Sequence, residues 1–291
     1  MNQTHSSLIV NCVFNAFSAY TAIMLNILTI HAIRKTSSLP KPLKTLLVSL
    51  AVSDLGVGLL AQPLYIAWMV NKTDFTLITF YVIQMIFSIA SFFTVVAISV
   101  DRFLAIHLHL RYQELAAHKR IVLVVISIWT LSVLYSSSMS YAYQYLNLEQ
   151  LVRVVKVVIF GFCFIVTGII FSRLHFTARH HANEIQVLQM QVAQNSQLES
   201  AARKRKSAIS MIYVYLVFLV CYLPLSCVLV ARLIPPPSTA LKDGLVFYSL
   251  SLVFLNSSLN PVIYGWKMRH IRHAMINVLR NIFPRQNQAN L

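Results

Sequence analysis

Thr45-Leu46-Leu47-Val48-Ser49-Leu50-Ala51-Val52-Ser53-Asp54-Leu55-Gly56-Val57-Gly58-Leu59-Leu60-Ala61-Gln62-Pro63-Leu64-Tyr65-Ile66-Ala67-Trp68-Met69-Val70 is a run of 26 residues with one charge, Asp54. Coiled as an α-helix at about 1.5 Å per residue it is longer than the roughly 30 Å hydrocarbon core of a bilayer. A helix that packs on a soluble core is apolar along one stripe, whereas this run is apolar all round. It reads as a membrane span with a lone carboxyl group inside it.

Six more uncharged intervals have the same character: Leu8 to Ile33, Phe75 to Val100, Ile121 to Leu148, Val157 to Ser172, Ser207 to Ala231 and Gly244 to Trp266. The shortest, Val157 to Ser172, has 16 residues, so the span it belongs to is extended to about Leu151, with Arg153, Lys156 and Arg173 snorkelling to the interfaces. None shows the period-2 alternation of a barrel strand. The expected fold is an all-α membrane protein, a seven-transmembrane helix bundle.

Composition agrees. The chain of 291 residues is 57% hydrophobic and 11% charged, with mean hydropathy +0.67, against roughly 25% charged residues in soluble domains. The net charge of +16 suggests a polyanion at first sight, but nucleic-acid binders carry their bases on a polar surface. The partner expected is membrane lipid, with no nucleic acid. Residues Met1 to Ser7 lack the Lys or Arg of a signal-peptide n-region, so the first apolar run is expected to remain as a span.

Charge sidedness sets the orientation. With the amino terminus outside, 19 of the 24 basic residues fall on inner segments and 5 on outer ones, as the positive-inside rule requires. The sequons at Asn2 and Asn71 then lie outside and are candidate glycosylation sites, while Asn256-Ser257-Ser258 lies within the seventh span. The expected organisation is an extracellular amino terminus, 1–7, a seven-transmembrane domain, 8–266, and a cytoplasmic amphipathic helix and tail, 267–291. No Gly or Pro occurs from Ile169 to Leu223, so the fifth and sixth helices should run past the membrane and join near Gln194 to Ser200. Lys267 to Phe283 intersperses basic residues with Met268, Ile271, Met275, Ile276 and Leu279, which predicts a short amphipathic helix on the inner leaflet. Cys12, Cys163, Cys221 and Cys227 all fall in spans and read as small buried hydrophobes.

An ionised carboxylate at mid-membrane depth must be paired or protonated. No Lys or Arg shares the depth of Asp54, so a small metal ion or a proton is its natural partner, with Ser91, Asn256, Ser257 and Asn260 as oxygen ligands; protonated Asp54 serving only packing is the alternative. Asp101-Arg102 closes the third span, and Pro224 and Pro261 interrupt the sixth and seventh. The histidines near the basic side (His107, His109, His175, His180, His181) do not repeat with the spacing of a membrane metal enzyme, and no nucleophile motif or paired carboxylates suggest catalysis. The chain reads as a non-enzyme.

Together these residues resemble the rhodopsin-like (class A) family of G-protein-coupled receptors. Asn26, Leu50-Ala51-Val52-Ser53-Asp54, Asp101-Arg102-Phe103 with Leu110 and Tyr112, Trp129, Cys221-Tyr222-Leu223-Pro224 and Asn260-Pro261-Val262-Ile263-Tyr264 stand in the family's order and depth. The resemblance implies a plasma-membrane, multi-pass receptor that couples an extracellular ligand to a heterotrimeric G protein. Asp54, Ser91, Asn256 and Asn260 would hold an allosteric Na⁺, with no other cofactor. Arg102, held by Asp101 at rest, would be released on activation; Leu110 would insert into the partner; Tyr222 and Pro224 would carry the motion of the sixth helix; Pro261 and Tyr264 would act in the seventh.

Departures from the family pattern are informative. Leu77 stands where a disulfide cysteine is expected, the second outer loop is short, and the fifth span lacks its usual Pro and Tyr, which looks like the melanocortin, cannabinoid, lysophospholipid and adenosine branch. Lys204 replaces the acid that in some members pairs with the arginine, which predicts ligand-independent signalling. Pocket walls implied by the resemblance are Tyr65, Trp68, Gln84, Met85, Ser88, Leu225, Leu229 and Phe254. Gln84 sits where amine receptors carry an acid, so a cationic amine is disfavoured, and Phe254 replaces the retinal-binding lysine. A lipid, a nucleoside and a small peptide stay open. The rival reading is an ion or solute transporter with Asp54 as its coupling carboxylate, disfavoured by the odd span count and the lack of internal repeats.

Overall fold

In hydrocarbon a helix satisfies its own backbone and an open strand does not. The computed structural model describes residues 2–36, 39–107, 117–146, 148–191, 196–233 and 239–282, with side chains placed for all of these except 2–5, 106–107, 149, 174–175, 177–212, 239–243 and 282; it is all-helical, with no strand among the described residues. Seven helices are long and apolar enough to cross a membrane. The first is Asn2–Lys35, the third Asp74–His107, the fourth His118–Tyr145, the fifth Glu149–Gln191, the sixth Ser196–Ala231 and the seventh Thr239–Lys267. The second is built in three pieces: α-helix Lys41–Gly56, a π-helical turn Val57–Ala61, and α-helix Gln62–Asn71.

The π turn has a local cause. Pro63 lacks an N–H and its ring crowds the carbonyl of Leu59 one turn back, and widening that turn accommodates it. Gly56 opens the widened segment, and a Cβ there would come within 2.2–2.7 Å of the Phe87 ring on the third helix. The absence of a side chain at residue 56 therefore sets how closely the second and third helices approach. Beyond Asn71 the chain turns through Lys72, the one non-glycine residue with positive φ among those described, at φ 54° and ψ 30°.

Sequence expectations and structure agree in one place and differ in three. The membrane-crossing part of the fifth helix is Gln150–Arg173, which accords with the extension beyond its 16 uncharged residues. The first helix already begins at Asn2, within the segment assigned to the amino terminus. Ser196 to Ser200 are helical, so the second half of the expected joint between the fifth and sixth helices belongs to the sixth. Of the four cysteines only Cys221 is buried: Cys12 and Cys163 are half-buried and Cys227 is exposed on the outside of the sixth helix, and all four are free thiols.

After Lys267 the short helix Arg269–Ile282 packs against the first and seventh helices. Met268, Ile271, Met275 and Val278, at helical spacing, are buried, and the first three join the cluster of Leu43, Leu46, Leu47 and Leu50 from the second helix. Ile276 and Leu279, expected on the same apolar face, are exposed. The amphipathic helix thus has one apolar edge on the protein and a second edge turned away from it.

Candidate functional site

Three layers lie along the bundle axis, and the middle one contains Asp54. Its side chain is fully buried, and Asn260 Nδ2 donates to Asp54 Oδ2 at 2.8 Å. Ser91 and Ser257 stand beside the same carboxyl. Asp54 Oδ1, Ser91 Oγ, Asn256 Oδ1 and Asn260 Oδ1 are all buried without a hydrogen-bond partner. Orphaned buried acceptors are costly, and oxygen acceptors gathered at a carboxylate suit a hard cation. These residues therefore fit the Na⁺ that the sequence resemblance implies.

The seventh helix is tied into this layer from the first. Pro261 cannot donate to the carbonyl of Ser257, four residues before it; that carbonyl instead accepts from Asn26 Nδ2 at 2.9 Å. Asn26 and Pro261 are two halves of one device, a kink and the donor that satisfies it. Further along the same seam Asn11 Nδ2 and Asn15 Nδ2 donate to Ser251 Oγ at 3.1 and 2.9 Å, and Ser258 Oγ donates to the Ser18 carbonyl at 3.1 Å. Tyr264 is buried and its hydroxyl has no partner.

The layer at the basic end contains Asp101 and Arg102. Both are buried, at 3% and 4% exposure, and Arg102 Nε donates to Asp101 Oδ2 at 2.9 Å while the Nη2 group of Arg102 reaches the same oxygen. A guanidinium at a membrane interface normally reaches water; here it is folded back on its neighbour. Leu110 lies outside the described residues, as does the side chain of Lys204, so the expected roles of both find no geometry here.

The third layer, toward the end that carries Asn71, is a cavity of about 110 Å³ between the third, fifth, sixth and seventh helices. Five of the eight expected wall residues line it: Gln84, Met85, Ser88, Leu225 and Leu229. Gln84 Nε2 donates to Ser88 Oγ at 2.7 Å, which leaves Gln84 Oε1 unpartnered. Tyr222 forms the side of the cavity nearest Asp54 and stacks on Phe218 with ring centroids 4.0 Å apart.

The other three expected wall residues do not line the cavity. Tyr65 and Phe254 are fully buried and pack edge to face at 5.2 Å, with Trp68 against Tyr65 at 6.2 Å and Phe80 at their centre. The Tyr65 hydroxyl donates to the Phe247 carbonyl at 3.2 Å. Large rings gain most by filling space against one another, so these three form a plug between the second, third and seventh helices. Unforeseen wall residues include Tyr81, Phe160 and two cations, Lys156 and Arg232. Lys156 was read as an interface anchor because it ends an uncharged interval. Its position one turn before Phe160 on the fifth helix was the available signal that it faces the same way.

A bundle of seven helices with a buried carboxylate at its centre, an arginine folded onto its neighbour at one end and a cavity at the other has the architecture of a membrane receptor. The chain belongs to the 7 transmembrane receptor (rhodopsin family), which it matches over residues 25–264. Among curated relatives it is 26% identical to adenosine receptor A3 of Ovis aries over 89% of this chain and 86% of that one. It is 25% identical to adenosine receptor A2b of Gallus gallus over 91% and 86%, and 24% identical to octopamine receptor beta-1R of Drosophila melanogaster over 97% and 64%. The protein is a G-protein-coupled receptor, and nothing in these likenesses supports a transporter.

Proposed function

We propose that the receptor works at the plasma membrane with its amino terminus and sequons Asn2 and Asn71 outside, and that its ligand occupies the cavity walled by Gln84, Met85, Ser88, Leu225 and Leu229. The ligand shifts a pre-existing equilibrium between two bundles. Tyr222 touches both the cavity and the Asp54 layer, so displacing it pushes the sixth helix about Pro224. At the basic end that motion opens space for Arg102 to leave Asp101 and meet a heterotrimeric G protein. Na⁺ at Asp54, Ser91, Asn256 and Asn260 supplies a positive charge that satisfies the orphaned oxygens and holds the resting bundle together. Relatives named for a nucleoside and for an amine match at similar identity, so the ligand reading rests on the cavity's own residues, and the absence of any acid among its described lining residues disfavours a cationic amine.

The observation that carries the proposal is the buried Arg102 held by Asp101. Guanine-nucleotide exchange on a panel of purified G proteins tests it. The receptor should raise exchange above receptor-free membranes, and Arg102→Ala at matched surface amount should lower it by about tenfold, equivalent to about 1.4 kcal/mol of coupling. Ion flux without exchange would overturn it.

A further inference from the structure

Two cations, Lys156 and Arg232, line the ligand cavity, and no Asp or Glu is among its described lining residues. Lys156 contacts the Tyr81 ring, its ammonium 5.9 Å from the centroid, and forms no ion pair with any described carboxylate. A cation such as Lys156 within a span is costly and marks a functional contact. The cavity itself, about 110 Å³, falls below the roughly 300–1,000 Å³ of small-molecule sites. It is not isolated, however. Phe160 is also a wall of a second cavity of about 510 Å³ between the third, fourth and fifth helices. That second space is lined by Ile89, Phe92, Leu131 and Leu134, with only two hydroxyls, Tyr135 and Ser138. Leu131 and Leu134 are 63% and 61% exposed on the bundle's outer surface, so it opens sideways to the bilayer.

From this juxtaposition we propose that the ligand is an amphiphilic anion: a carboxylate or phosphate head received by Lys156 and Arg232, and a hydrocarbon chain that passes Phe160 into the cavity between the third, fourth and fifth helices. Charge selects the head, and the apolar lining selects the chain. The two cavities are bridged by one aromatic ring whose rotation sets their continuity, and a single-chain lipid reaches the second through the membrane in which it dissolves. The inference deepens the receptor reading and rests on it for the identity of the ligand cavity.

The test uses the full chain in neutral phosphatidylcholine nanodiscs, with dodecyl phosphate below its micelle concentration, dodecanol, inorganic phosphate and adenosine as probes. Thermal melting reports binding and nucleotide exchange reports signalling. Dodecyl phosphate should raise the melting temperature and change exchange at concentrations at least tenfold below dodecanol or inorganic phosphate. Lys156→Gln should weaken its apparent affinity by tenfold or more, Lys156→Arg should restore most of it, and Phe160→Trp, which fills the gap between the cavities, should weaken long chains more than short ones. Equal effects of dodecanol would remove the anionic head from the proposal. Equal effects of inorganic phosphate would remove the chain, and a response to adenosine alone would replace the ligand class. The comparison of probes on the unaltered receptor decides the matter even where a variant fails to fold. Basal exchange without any probe separates the two readings: if it is present and dodecyl phosphate is inert, the ligand proposal fails and the receptor stands. If exchange is absent under every condition, the coupling assignment fails, and the melting shifts still decide the anion site.

Discussion

The second, third and seventh helices and the fourth and fifth lie in the same bilayer with similar apolar compositions, yet they are used in opposite ways. In the most apolar window of the second and seventh helices 61% of residues are buried, and 56% in the third; in the fourth and fifth only 11% are. The first group carries Asp54, Ser91, Asn256 and Asn260 and meets the first helix in a seam of hydrogen bonds. The second group presents Leu123, Leu131, Val158, Phe162 and Ile165 outward, each more than 60% exposed. Lipid tails are as apolar as these side chains, so helices in a membrane are held by packing and polar ties rather than by a drive out of water. The inner group is the frame, and the outer group is a wall that faces lipid.

The largest expected effect compares one leucine from each group. Leu46 on the second helix is fully buried in the cluster with Ile263 and Met268, whereas Leu131 on the fourth is 63% exposed. Leu46→Ala should cost about 2–5 kcal/mol through the cavity left behind, while Leu131→Ala should leave stability within about 0.5 kcal/mol. Thermal unfolding of both variants in the same micelles checks the pair. Similar losses would mean that the outer helices are as tightly held as the frame.

Sodium comes next. Bound at Asp54 it would stabilise the frame by about 2.7 kcal/mol at a concentration 100 times its dissociation constant. The melting temperature should therefore rise when choline is replaced by sodium at constant ionic strength, and Asp54→Asn should abolish the rise. A rise that persists in the variant would locate the ion elsewhere.

How much of this was legible beforehand follows the same division. Asp54, Asn26, Pro261 and Arg102 were conspicuous because each is polar or kinked in a setting that tolerates neither, so the frame and the fold could be read from sequence. Tyr65, Trp68 and Phe254 were assigned to the cavity through the family resemblance, which goes by position along a helix. Nothing in one dimension distinguishes a ring that lines a space from one that fills it, and Phe80, which the three enclose, attracted no notice. Lys156 and Arg232 were hidden for a different reason: at the end of an uncharged run a cation reads as a boundary, and which way it points depends on the rotation of the helix. Asn11 and Asn15 were legible in principle, being spaced one turn apart on an apolar span, and their partner Ser251 lies on the remote seventh helix.

A smaller effect than that of Leu46 is expected where the seam is purely polar. Asn26→Ala removes the donor to the Ser257 carbonyl that Pro261 frees, and leaves that acceptor buried. The cost should be about 1–3 kcal/mol. Pro261→Ala restores the helix's own N–H, so in that background Asn26→Ala should cost less, and the non-additivity in unfolding measurements would show the two acting as one unit. Full additivity would separate them.

The smallest effect concerns the one side-chain hydrogen bond described between the fourth helix and the frame. Trp129 Nε1 donates to Ser49 Oγ at 3.1 Å, and the indole also meets the Phe87 ring edge to face at 6.0 Å. Trp129→Phe keeps an aromatic ring at that position and loses the N–H, so it should cost about 0.6 kcal/mol, the typical worth of an interhelical hydrogen bond in a membrane. Ser49→Ala should cost at least as much, because Ser49 Oγ also meets Thr94 Oγ1 at 3.5 Å, and the double variant should cost little more than Ser49→Ala alone. If Trp129→Phe cost several times more, the fourth helix would be anchored as firmly as the seventh, and a wall so fixed could not yield to a chain passing Phe160.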